Sequence, residues 1–260
     1  MSLPERCAGV AQAATVDAVR ILTVNAHKGF SPLNRRYVLP ELRDAVRSQD
    51  ADLVFLQEVL GSHRQHASRH PGWSEVPQYE FLADSLWPVF AYGRNAVYPD
   101  GEHGNALLSK FPILHYENLD VSVTGSERRG LLHAILEVPG QAPLHTVCAH
   151  LGLDERQRNR QLTLLCRLLD SLPPAAPVIV AGDFNDWRRR ADAQLAGSGL
   201  VEVFSQAFGR HARSFPARWP LLCLDRIYLR NAQARQPQVM TRKPWSHLSD
   251  HLPLSVEVLL

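Results

Sequence analysis

One stretch of the chain couples a predicted buried strand to reactive side chains, and it runs Val178-Ile179-Val180-Ala181-Gly182-Asp183-Phe184-Asn185. The strand ends by presenting Asp183 and Asn185 two residues apart, which places both side chains on the same side of the chain. A carboxylate there can take a proton, and an amide can donate hydrogen bonds to a developing anion. Gly, Asp and Asn also favour turns, so this stretch by itself fits a plain turn as well as a catalytic pair.

Composition and charge describe an ordinary globular chain. Of its 260 residues, 45% are hydrophobic and 21% are charged, and this length supports a large core. The net charge of +2 is much weaker than that of a dedicated nucleic-acid binder. It is nevertheless compatible with a local positive pocket for a phosphate.

Cysteine usage and the lack of targeting patterns bear on location. The four cysteines are scattered without a CxxC pair, which argues against a zinc cluster and indicates a reducing compartment. No apolar run approaches the length of a membrane span. Glu5 and Arg6 interrupt the short segment before Ala-Gln-Ala-Ala, which argues against a signal peptide. We therefore expect a cytoplasmic protein whose residues 1–18 form a loosely ordered lead-in.

Polar residues recur where predicted strands begin or end. Short apolar runs alternate with helical patterns, and the predicted helices cover residues 40–48 and 162–172. The polar groups at strand ends are Asn25, Glu58, His150 and Asp183 after strands, and Asp225, Asp250 and His251 before strands. Antiparallel neighbours in a mixed sheet would bring both sets to one edge, whereas a purely parallel sheet would scatter them. So many costly polar groups at one edge indicate function rather than structure.

The side chains at this expected edge suit a divalent cation and a phosphate. Carboxylates with neutral oxygen ligands favour Mg²⁺ or Mn²⁺, and Glu58 is the best single ligand, the alternative being a surface glutamate that ends a strand. His150 and His251 are candidates to donate to phosphate oxygens. A carboxylate such as Asp225 would orient His251 and favour its imidazolium form. Because the chain has twelve histidines, the alternative for each is a surface histidine without a role.

Seven short motifs occur along the chain in a recognisable order. They are Val24-Asn25, Leu56-Gln57-Glu58-Val59, Gly104-Asn105-Ala106-Leu107-Leu108-Ser109, Ala149-His150-Leu151, Ala181-Gly182-Asp183-Phe184-Asn185, Leu224-Asp225-Arg226-Ile227-Tyr228 and Leu248-Ser249-Asp250-His251. The ordered set resembles the endonuclease/exonuclease/phosphatase superfamily, whose fold is that of DNase I. The resemblance covers residues 19–260 and implies a single α/β domain, a four-layer sandwich of two mixed β-sheets flanked by helices. It thereby implies the mixed topology that the strand-end argument requires.

The resemblance implies a metal site built on oxygen ligands. Glu58 resembles the principal metal ligand, Asn25 stands beside it in the metal or phosphate shell, and Asp250 assists the site. The implied cofactor is Mg²⁺ or Mn²⁺, which would neutralise charge on the phosphate and on the leaving oxygen. Many nucleases of the family carry an Asp two residues after the first Asn, where this chain has His27, a poorer Mg²⁺ ligand.

The resemblance also implies catalytic roles around an in-line attack of water on phosphorus. Asp183 resembles the group that orients and deprotonates the water, and Asn185 resembles the group that stabilises the pentavalent transition state. His150 would hold a phosphate oxygen. Asp225 would orient His251, and His251 would contact the scissile phosphate.

Four further residues are predicted to bind substrate. His27 and Lys28 are candidates to bind phosphate in place of the family's metal arrangement, the alternative being a solvated loop. Asn105 belongs to the third motif, and Arg129 belongs to one of several basic clusters that are candidates to line a phosphate groove. Most such clusters are solvated surface. Aromatic residues in Tyr92-Gly93-Arg94-Asn95 and at Trp187 are candidates to rim the cleft, where they would stack on a base or touch lipid.

Two substrate classes stay open, because the superfamily spans nucleases, RNA deadenylases, inositol-phosphate phosphatases and sphingomyelinases. The weak net charge argues against a DNA enzyme. His-Lys-Gly-Phe after the first Asn and Gly-Asp-Phe-Asn-Asp-Trp are similar to uncharacterised bacterial members and to the family domain of GPI-anchor lipid remodelling proteins. We therefore expect a monomeric hydrolase of a nucleic-acid or a lipid or inositol phosphodiester, the latter with peripheral association at the inner membrane. The alternative is a catalytically silent module that binds a phosphate ligand.

Overall fold

Two β-sheets form the centre of the fold. The structure is a computed structural model that describes residues 15–63, 73, 76–99 and 101–260, without the side chains of residues 62 and 63. Within these residues the first sheet runs, in spatial order, β11 (Gln233–Val239), β12 (Leu254–Leu259), β1 (Ala18–Asn25), β2 (Leu53–His63), β4 (Gly101–Ser109) and β3 (Val89–Tyr98). The second sheet runs β5 (Ile113–Asp120), β6 (Gly130–Leu136), β7 (Leu144–His150), β8 (Val178–Asp183), β10 (Asp225–Arg230) and β9 (Val201–Glu202).

Both sheets are mixed. β1 pairs in parallel with β2, and β7 pairs in parallel with β8, whereas the other described pairs are antiparallel. A parallel pair needs a crossover, and α1 (Leu39–Ser48) and α3 (Glu155–Ser171) lie in the two crossovers. The shorter helices are α2 (Gln78–Ala83), α4 (Ala191–Ala196), α5 (Val203–Phe208) and α6 (Trp245–Leu248). The mixed topology that the polar strand ends required is confirmed.

Strand β8 shows how the sequence builds the layers. Ile179 and Ala181 belong to the core between the two sheets, whereas Val178 and Val180 pack in a second core with α3. Because both faces of this strand are covered, its sequence is a continuous apolar run rather than an alternation. A third core lies between the first sheet and α1. Helix, sheet, sheet and helix form four layers, as the resemblance implied.

The predicted helices are correct in position and differ in extent. Helix α1 buries Leu39, Leu42, Ala45 and Val46 on one face, as its periodicity predicts. Helix α3 begins at Glu155, before the predicted start at 162, because Asp154 caps it by accepting hydrogen bonds from the backbone N–H groups of the first turn. Its first turns are largely polar, so their sequence carries little apolar periodicity.

One predicted strand end is wrong. The sequence predicts that the second strand ends at Gln57-Glu58, but β2 continues to His63. The pairing of β2 with β4 shifts between Leu56 and Val59, which leaves Gln57 and Glu58 as a β-bulge, and Glu58 has a φ of +53°. The bulge keeps Glu58 in the strand while redirecting its side chain, as bulges beside active sites do.

Four strands, β3, β5, β9 and β11, were not predicted from the sequence, and each of them is an edge strand of its sheet. The predicted lead-in also ends too late, because Ala18 already begins β1, and residues 1–14 lie outside the described residues. Among the helices of the described residues, none has the length and apolar character needed to cross a membrane.

Candidate active site

Three of the predicted site residues meet at the edge of the second sheet. His150 is the last residue of β7 and Asp183 is the last residue of β8, and the two are partners in the parallel ladder. Asp225 is the first residue of β10, and it is the antiparallel partner of Asp183. The ladder therefore aligns an imidazole and two carboxylates side by side, although two of the strands end here and the third begins here.

The first sheet brings two further groups to the same edge. Asn25 ends β1, and its Nδ2 donates to Oδ2 of Asp183 at 3.2 Å and lies 3.4 Å from Oε1 of Glu58. Its Oδ1 accepts a hydrogen bond from the backbone N–H of His27 at 3.0 Å. Asn25 therefore links the metal candidate Glu58 on the bulge of β2 to the catalytic candidate at the end of β8.

The corner after β8 is a turn that also orients the two candidate catalytic side chains, Asp183 and Asn185. A Cβ at Gly182 would lie 1.9 Å from the carbonyl oxygen of Ala149, so only glycine lets β7 and β8 approach this closely. Oδ1 of Asp183 accepts a hydrogen bond from the backbone N–H of Asn185 at 2.9 Å. Asn185 has a φ of +51°, and its Nδ2 donates to the carbonyl oxygen of Leu151 at 2.9 Å. The turn and catalytic readings of this stretch are thus compatible, because the turn fixes both side chains.

His251 is held between two carboxylates. Its Nδ1 lies 2.8 Å from Oδ2 of Asp225, and its Nε2 lies 3.9 Å from Oδ2 of Asp183. Burial alone would lower the pKa of His251, but Asp225 and Asp183 raise this pKa to about 10. The ring of Phe215 packs against the imidazole with 4.9 Å between centroids. His251 is therefore a buried imidazolium whose Nε2 faces the other site residues.

The environment of Asp183 pushes its titration toward neutrality. Burial raises the pKa of Asp183 to about 7, Asp225 and Glu58 add to the rise, and His251 opposes it. A carboxylate with this pKa can accept a proton near neutral pH more effectively than an ordinary aspartate.

His150 differs from His251 in charge. Its Nε2 lies 3.6 Å from Oδ2 of Asp183 and 3.9 Å from Oε1 of Glu58. Burial and the nearby Arg129 and His103 nevertheless hold the pKa of His150 well below its ordinary value. His150 is therefore a neutral imidazole, and the imidazolium form that a carboxylate neighbour favours is found at His251.

Asp250 and His27 form a pair at the mouth of the site. Nδ1 of His27 lies 3.0 Å from Oδ1 of Asp250. Although burial raises the pKa of Asp250, the hydrogen bond from His27 and the charge of His251 bring it below its ordinary value. Burial lowers the pKa of His27, and Asp250 and Glu58 more than offset this and raise it. The position where the resemblance leads one to expect a carboxylate thus holds an imidazole that pairs with Asp250.

The remaining predicted substrate ligands occupy different settings. Lys28 has a φ of +55°, and its carbonyl oxygen accepts a hydrogen bond from Nε2 of Gln78 at 2.9 Å. Asn105 is fully buried, and its Nδ2 donates to the carbonyl oxygen of Gly130 at 3.0 Å and lies 3.3 Å from that of Cys148. Neither of them is among the described residues that line the cavity of the site. Arg129 does line this cavity.

The cavity has a volume of about 370 Å³ and is lined by both polar and apolar side chains. The polar lining consists of Glu58, Glu127, Arg129, His150, Asp183, Asn185, Asp250 and His251. The apolar lining consists of Leu153, Trp187, Phe215, Leu222 and Leu224. Trp187 lies at the rim, as predicted, and the guanidinium of Arg158 stands 4.8 Å from its ring. Tyr92 does not line the cavity, because its ring stacks on Tyr79 at 4.3 Å.

Comparison with known proteins decides the family. Residues 22–251 match the model of the Endonuclease/Exonuclease/phosphatase family, which is most of the chain. The chain belongs to the endonuclease/exonuclease/phosphatase family. Membership in this family supports a phosphoesterase-type hydrolase, and it accounts for the order in which the seven motifs occur.

Relatives and structural neighbours of this family member cover nearly all of it. The uncharacterized protein YbhP of Escherichia coli K12 is 54% identical over 244 residues, which are 93% of this chain and 96% of the relative. A family structure from Beutenbergia cavernae has a TM-score of 0.75 at 20% identity and covers 94% of this chain and 72% of its own. The structure of D. rerio TDP2 complexed with single strand DNA product has a TM-score of 0.69 at 22% identity and covers 94% of this chain and 100% of its own.

The donor set of this family member fits a divalent metal. Glu58 and Asp250 both line the cavity, and carboxylate oxygens are the ligands that Mg²⁺ and Mn²⁺ prefer. Within the described chain, the group whose candidate ligand atoms all lie within 4.8 Å of one another is Asp183, Asp225 and His251. His251 is hydrogen-bonded to Asp225 and forms a longer ion pair with Asp183, so its imidazolium already occupies the space between the two carboxylates and this trio forms a relay rather than an open metal site. Glu58 and Asp250 are therefore the better candidates for metal ligands.

A second network of hydrogen bonds and ion pairs, centred on Glu127 in the lining of the cavity, was not predicted from the sequence. Glu127 accepts hydrogen bonds from Tyr98 at 2.7 Å and pairs with Arg129 at 2.7 Å, and its Oε1 lies 3.0 Å from Nε2 of His103. The hydrogen bond with His103 is the main reason that the pKa of Glu127 lies well below its ordinary value. Glu127 sits in an irregular loop without periodicity, so only its proximity to Arg129 in the sequence could have drawn attention to it.

Proposed function

We propose that this family member is a Mg²⁺- or Mn²⁺-dependent phosphodiesterase that directs water in line at phosphorus. The observation that carries the proposal is the relay that runs from Asp225 through the imidazolium of His251 toward Asp183. One polar side-chain atom from each of these three residues lies within 4.8 Å of the other two. Asp183 and His251 of this relay line a cavity that Glu58 and Asp250 also line. Because the pKa of Asp183 is raised, this carboxylate can act as the base, while the fixed imidazolium of His251 acts as the hydrogen-bond donor. Hydrolysis needs both of these roles.

Asp183 serves as the base in this proposal. Its pKa of about 7 suits proton abstraction near neutral pH, and the hydrogen bond from the backbone of Asn185 holds one of its oxygens in place. The other oxygen faces Asn25 and the two imidazoles. Asp183 therefore orients the attacking water and takes its proton, while its neighbours keep the carboxylate from rotating.

Three groups stabilise the negative charge that develops on the phosphate oxygens in the transition state. Asn185 uses one N–H of its amide on the carbonyl oxygen of Leu151, which leaves the second N–H for a phosphate oxygen. His251 donates from Nε2 as an imidazolium, because Asp225 occupies its Nδ1. Neutral His150 contributes an N–H donor without repelling the nearby Arg129. Donors that are fixed before the reaction stabilise the transition state without reorganisation.

Glu58 and Asp250 would hold the divalent metal, with Asn25 beside them. When bound there, the metal supplies positive charge that neutralises the phosphate and the leaving oxygen. Besides being a candidate to bind phosphate, His27 fixes one carboxylate of the site through its contact with Asp250. One imidazole in place of a third carboxylate gives the mouth of the site a more positive charge, which favours an anionic substrate.

The substrate proposed is a phosphodiester with an apolar or planar group next to the phosphate. Phe215, Leu222 and Leu224 form an apolar wall beside the relay, and a sugar-base unit or a lipid glyceride would fit against it. The complex of D. rerio TDP2 with single strand DNA product supports the nucleic-acid alternative at the level of the fold. The small net charge of +2 supports a substrate with fewer phosphates.

A panel of substrates tests the proposal. The purified chain is assayed with Mg²⁺ or Mn²⁺ on bis(p-nitrophenyl) phosphate, single- and double-stranded DNA, RNA, inositol phosphates and glycerophospholipids, with EDTA as the metal-free control. We expect hydrolysis of at least one diester, its loss in EDTA, and its loss in Asp183→Asn and His251→Ala. Full activity of Asp183→Asn would overturn the mechanism. Binding of inorganic phosphate with no turnover on any substrate would instead support the silent binding module.

A further inference from the structure

A cationic segment without acidic residues leads to the wall of the cleft. The chain has no Asp or Glu between Glu202 and Asp225, and this segment carries Arg210, Arg213 and Arg218. All three arginines are exposed, and the structure gives none of them an ion pair within the described residues. The segment therefore presents a local positive charge that the net charge of the whole chain does not reveal.

The end of this segment forms a hairpin closed by backbone hydrogen bonds, which we call the cleft hairpin (residues 214–224). The backbone N–H groups of Leu221 and Leu222 donate to the carbonyl oxygen of Phe215, each at 2.8 Å, and that of Phe215 donates to Leu222 at 3.1 Å. The hairpin is also tied to the active site, because the backbone of Ala217 donates to the carbonyl oxygen of Asp250 at 2.8 Å. Its tip thus has a fixed position beside the cavity.

The cleft hairpin displays large apolar side chains to solvent. Trp219 is 74% exposed and Leu221 is 68% exposed, and both belong to the tip. Leu222 is partly exposed as well and lines the active-site cavity, so the apolar surface of the tip continues into the cleft. Leu153 and Trp187, which also line the cavity, are exposed as well. Adjacent exposed apolar side chains of this size indicate an interaction surface.

The composition of this surface selects among partners. Single-stranded nucleic acids are bound by aromatic rings on which successive bases stack, and leucines cannot serve as such platforms. Tryptophan and leucine together with arginine are characteristic of surfaces that lie at the boundary of lipid headgroups and acyl chains. Arginines near such a surface are attracted to anionic headgroups, while their aliphatic stems accompany the apolar side chains.

We propose that the cleft hairpin docks on anionic lipid bilayers, with Trp219 and Leu221 inserted into the interface and Arg210, Arg213 and Arg218 against the headgroups. A second groove of about 450 Å³, lined by Phe208, Arg210, Arg213 and Pro220 among others, presents the same combination of apolar and cationic groups. Docking in this orientation places the mouth of the active-site cavity at the bilayer surface. The docking itself does not depend on the proposed hydrolysis.

Co-sedimentation with vesicles in EDTA tests the docking without turnover. Wild-type chain is mixed with vesicles of phosphatidylcholine alone or of phosphatidylcholine with phosphatidylglycerol, and the bound fraction is measured against lipid concentration. We expect binding that strengthens with phosphatidylglycerol and weakens with salt. The double variant Trp219→Ser/Leu221→Ser should lose at least about tenfold in affinity, because it removes the inserted apolar area.

A charge variant and two matched controls distinguish binding through this surface from non-specific binding to vesicles. Arg210→Gln/Arg213→Gln/Arg218→Gln should lose the preference for phosphatidylglycerol, whereas Arg156→Gln/Arg160→Gln/Arg167→Gln, which removes exposed arginines of α3, should keep it. Leu114→Ser/Tyr116→Ser removes side chains that are 56% and 50% exposed on β5, and it should bind vesicles as the wild type does. Far-ultraviolet circular dichroism and urea unfolding check that every variant folds.

Three outcomes would overturn the docking proposal. Wild-type chain could fail to sediment with phosphatidylglycerol vesicles, or the tip variant could bind them as tightly as the wild type. In the third, the wild type binds a fluorescent single-stranded oligonucleotide and no vesicle, and the tip variant loses the oligonucleotide, which would assign the surface to nucleic acid. If the tip variant loses vesicle binding but still hydrolyses bis(p-nitrophenyl) phosphate, the result supports both the docking and the proposed function, and it shows that they are independent.

Discussion

Nδ1 of His251 lies 2.8 Å from Oδ2 of Asp225, and this hydrogen bond joins the two sheets at the active site. Asp225 begins β10 in the second sheet, whereas His251 precedes β12 in the first sheet. Both groups are buried, so the attraction between them is screened little by solvent, and the pKa of His251 rises to about 10. The pair therefore keeps a cation in the lining of the cavity throughout the neutral range.

Asp225→Asn should lower both the pKa of His251 and the rate of hydrolysis. The amide keeps the shape of the side chain but removes the largest attraction that holds the imidazolium. We expect a fall in kcat of about a hundredfold or more and an alkaline limb of the pH profile that moves to lower pH. Asp170→Asn, at an exposed position of α3, is the matched control. An unchanged alkaline limb in Asp225→Asn would contradict the relay.

The pH dependence of hydrolysis should show two limbs. As the pH rises through about 7, Asp183 loses its proton and becomes able to accept one from water, so kcat/KM should rise about tenfold per pH unit below that value and then level off. As the pH rises through about 10, His251 loses its proton and the rate should fall. Initial rates with a saturating metal ion and a soluble diester measure both limbs. A rate that is constant from pH 5 to pH 8 would exclude Asp183 as the base.

The sequence predicted the site better than it predicted the sheets. Asn25, His150, Asp183, Asp225 and Asp250 lie next to strands with strongly apolar sequences, so their placement at strand ends is visible from composition alone. Their convergence required a mixed topology, which the resemblance implied and the pairing of β8 with β10 realises. The charge states of the two histidines could not be predicted, because they depend on burial and on neighbours that are distant in sequence.

The missed elements have a common physical cause. β3, β5, β9 and β11 are edge strands, and most residues of β5 and β11 are at least partly exposed, which erases the apolar pattern of an inner strand. The bulge at Glu58 is equally hidden, because Gln57 and Glu58 look like the end of a strand when only hydrophobicity is considered. Packing between sheets, rather than local propensity, decides both features.

His27→Asp should change how a divalent metal stabilises the fold. His27 and Asp250 are 3.0 Å apart, so a second carboxylate there would repel Asp250 and lower the Tm in EDTA. Added Mg²⁺ or Mn²⁺ would relieve this repulsion, and we expect a larger rise in Tm with metal than in the wild type. His27→Asn is the control, because it removes the imidazole without adding charge. Equal metal-induced shifts in the Asp variant and the wild type would place the metal away from this pair.

Gly182→Ala should destabilise the corner that carries Asp183, the proposed base. Its added methyl group would lie 1.9 Å from the carbonyl oxygen of Ala149, which is backbone in the adjacent strand and cannot swing aside. We expect a loss of about 3 kcal/mol in the free energy of unfolding, measured by urea denaturation. Gly209→Ala is the control, because both glycines have a positive φ that is unfavourable for alanine, +146° at Gly182 and +67° at Gly209. A Cβ at Gly209 would meet nothing within 4 Å, so this variant should lose only about 1 kcal/mol in the free energy of unfolding. Similar losses in both variants would mean that backbone conformation, rather than the close approach of β7 and β8, requires glycine at position 182.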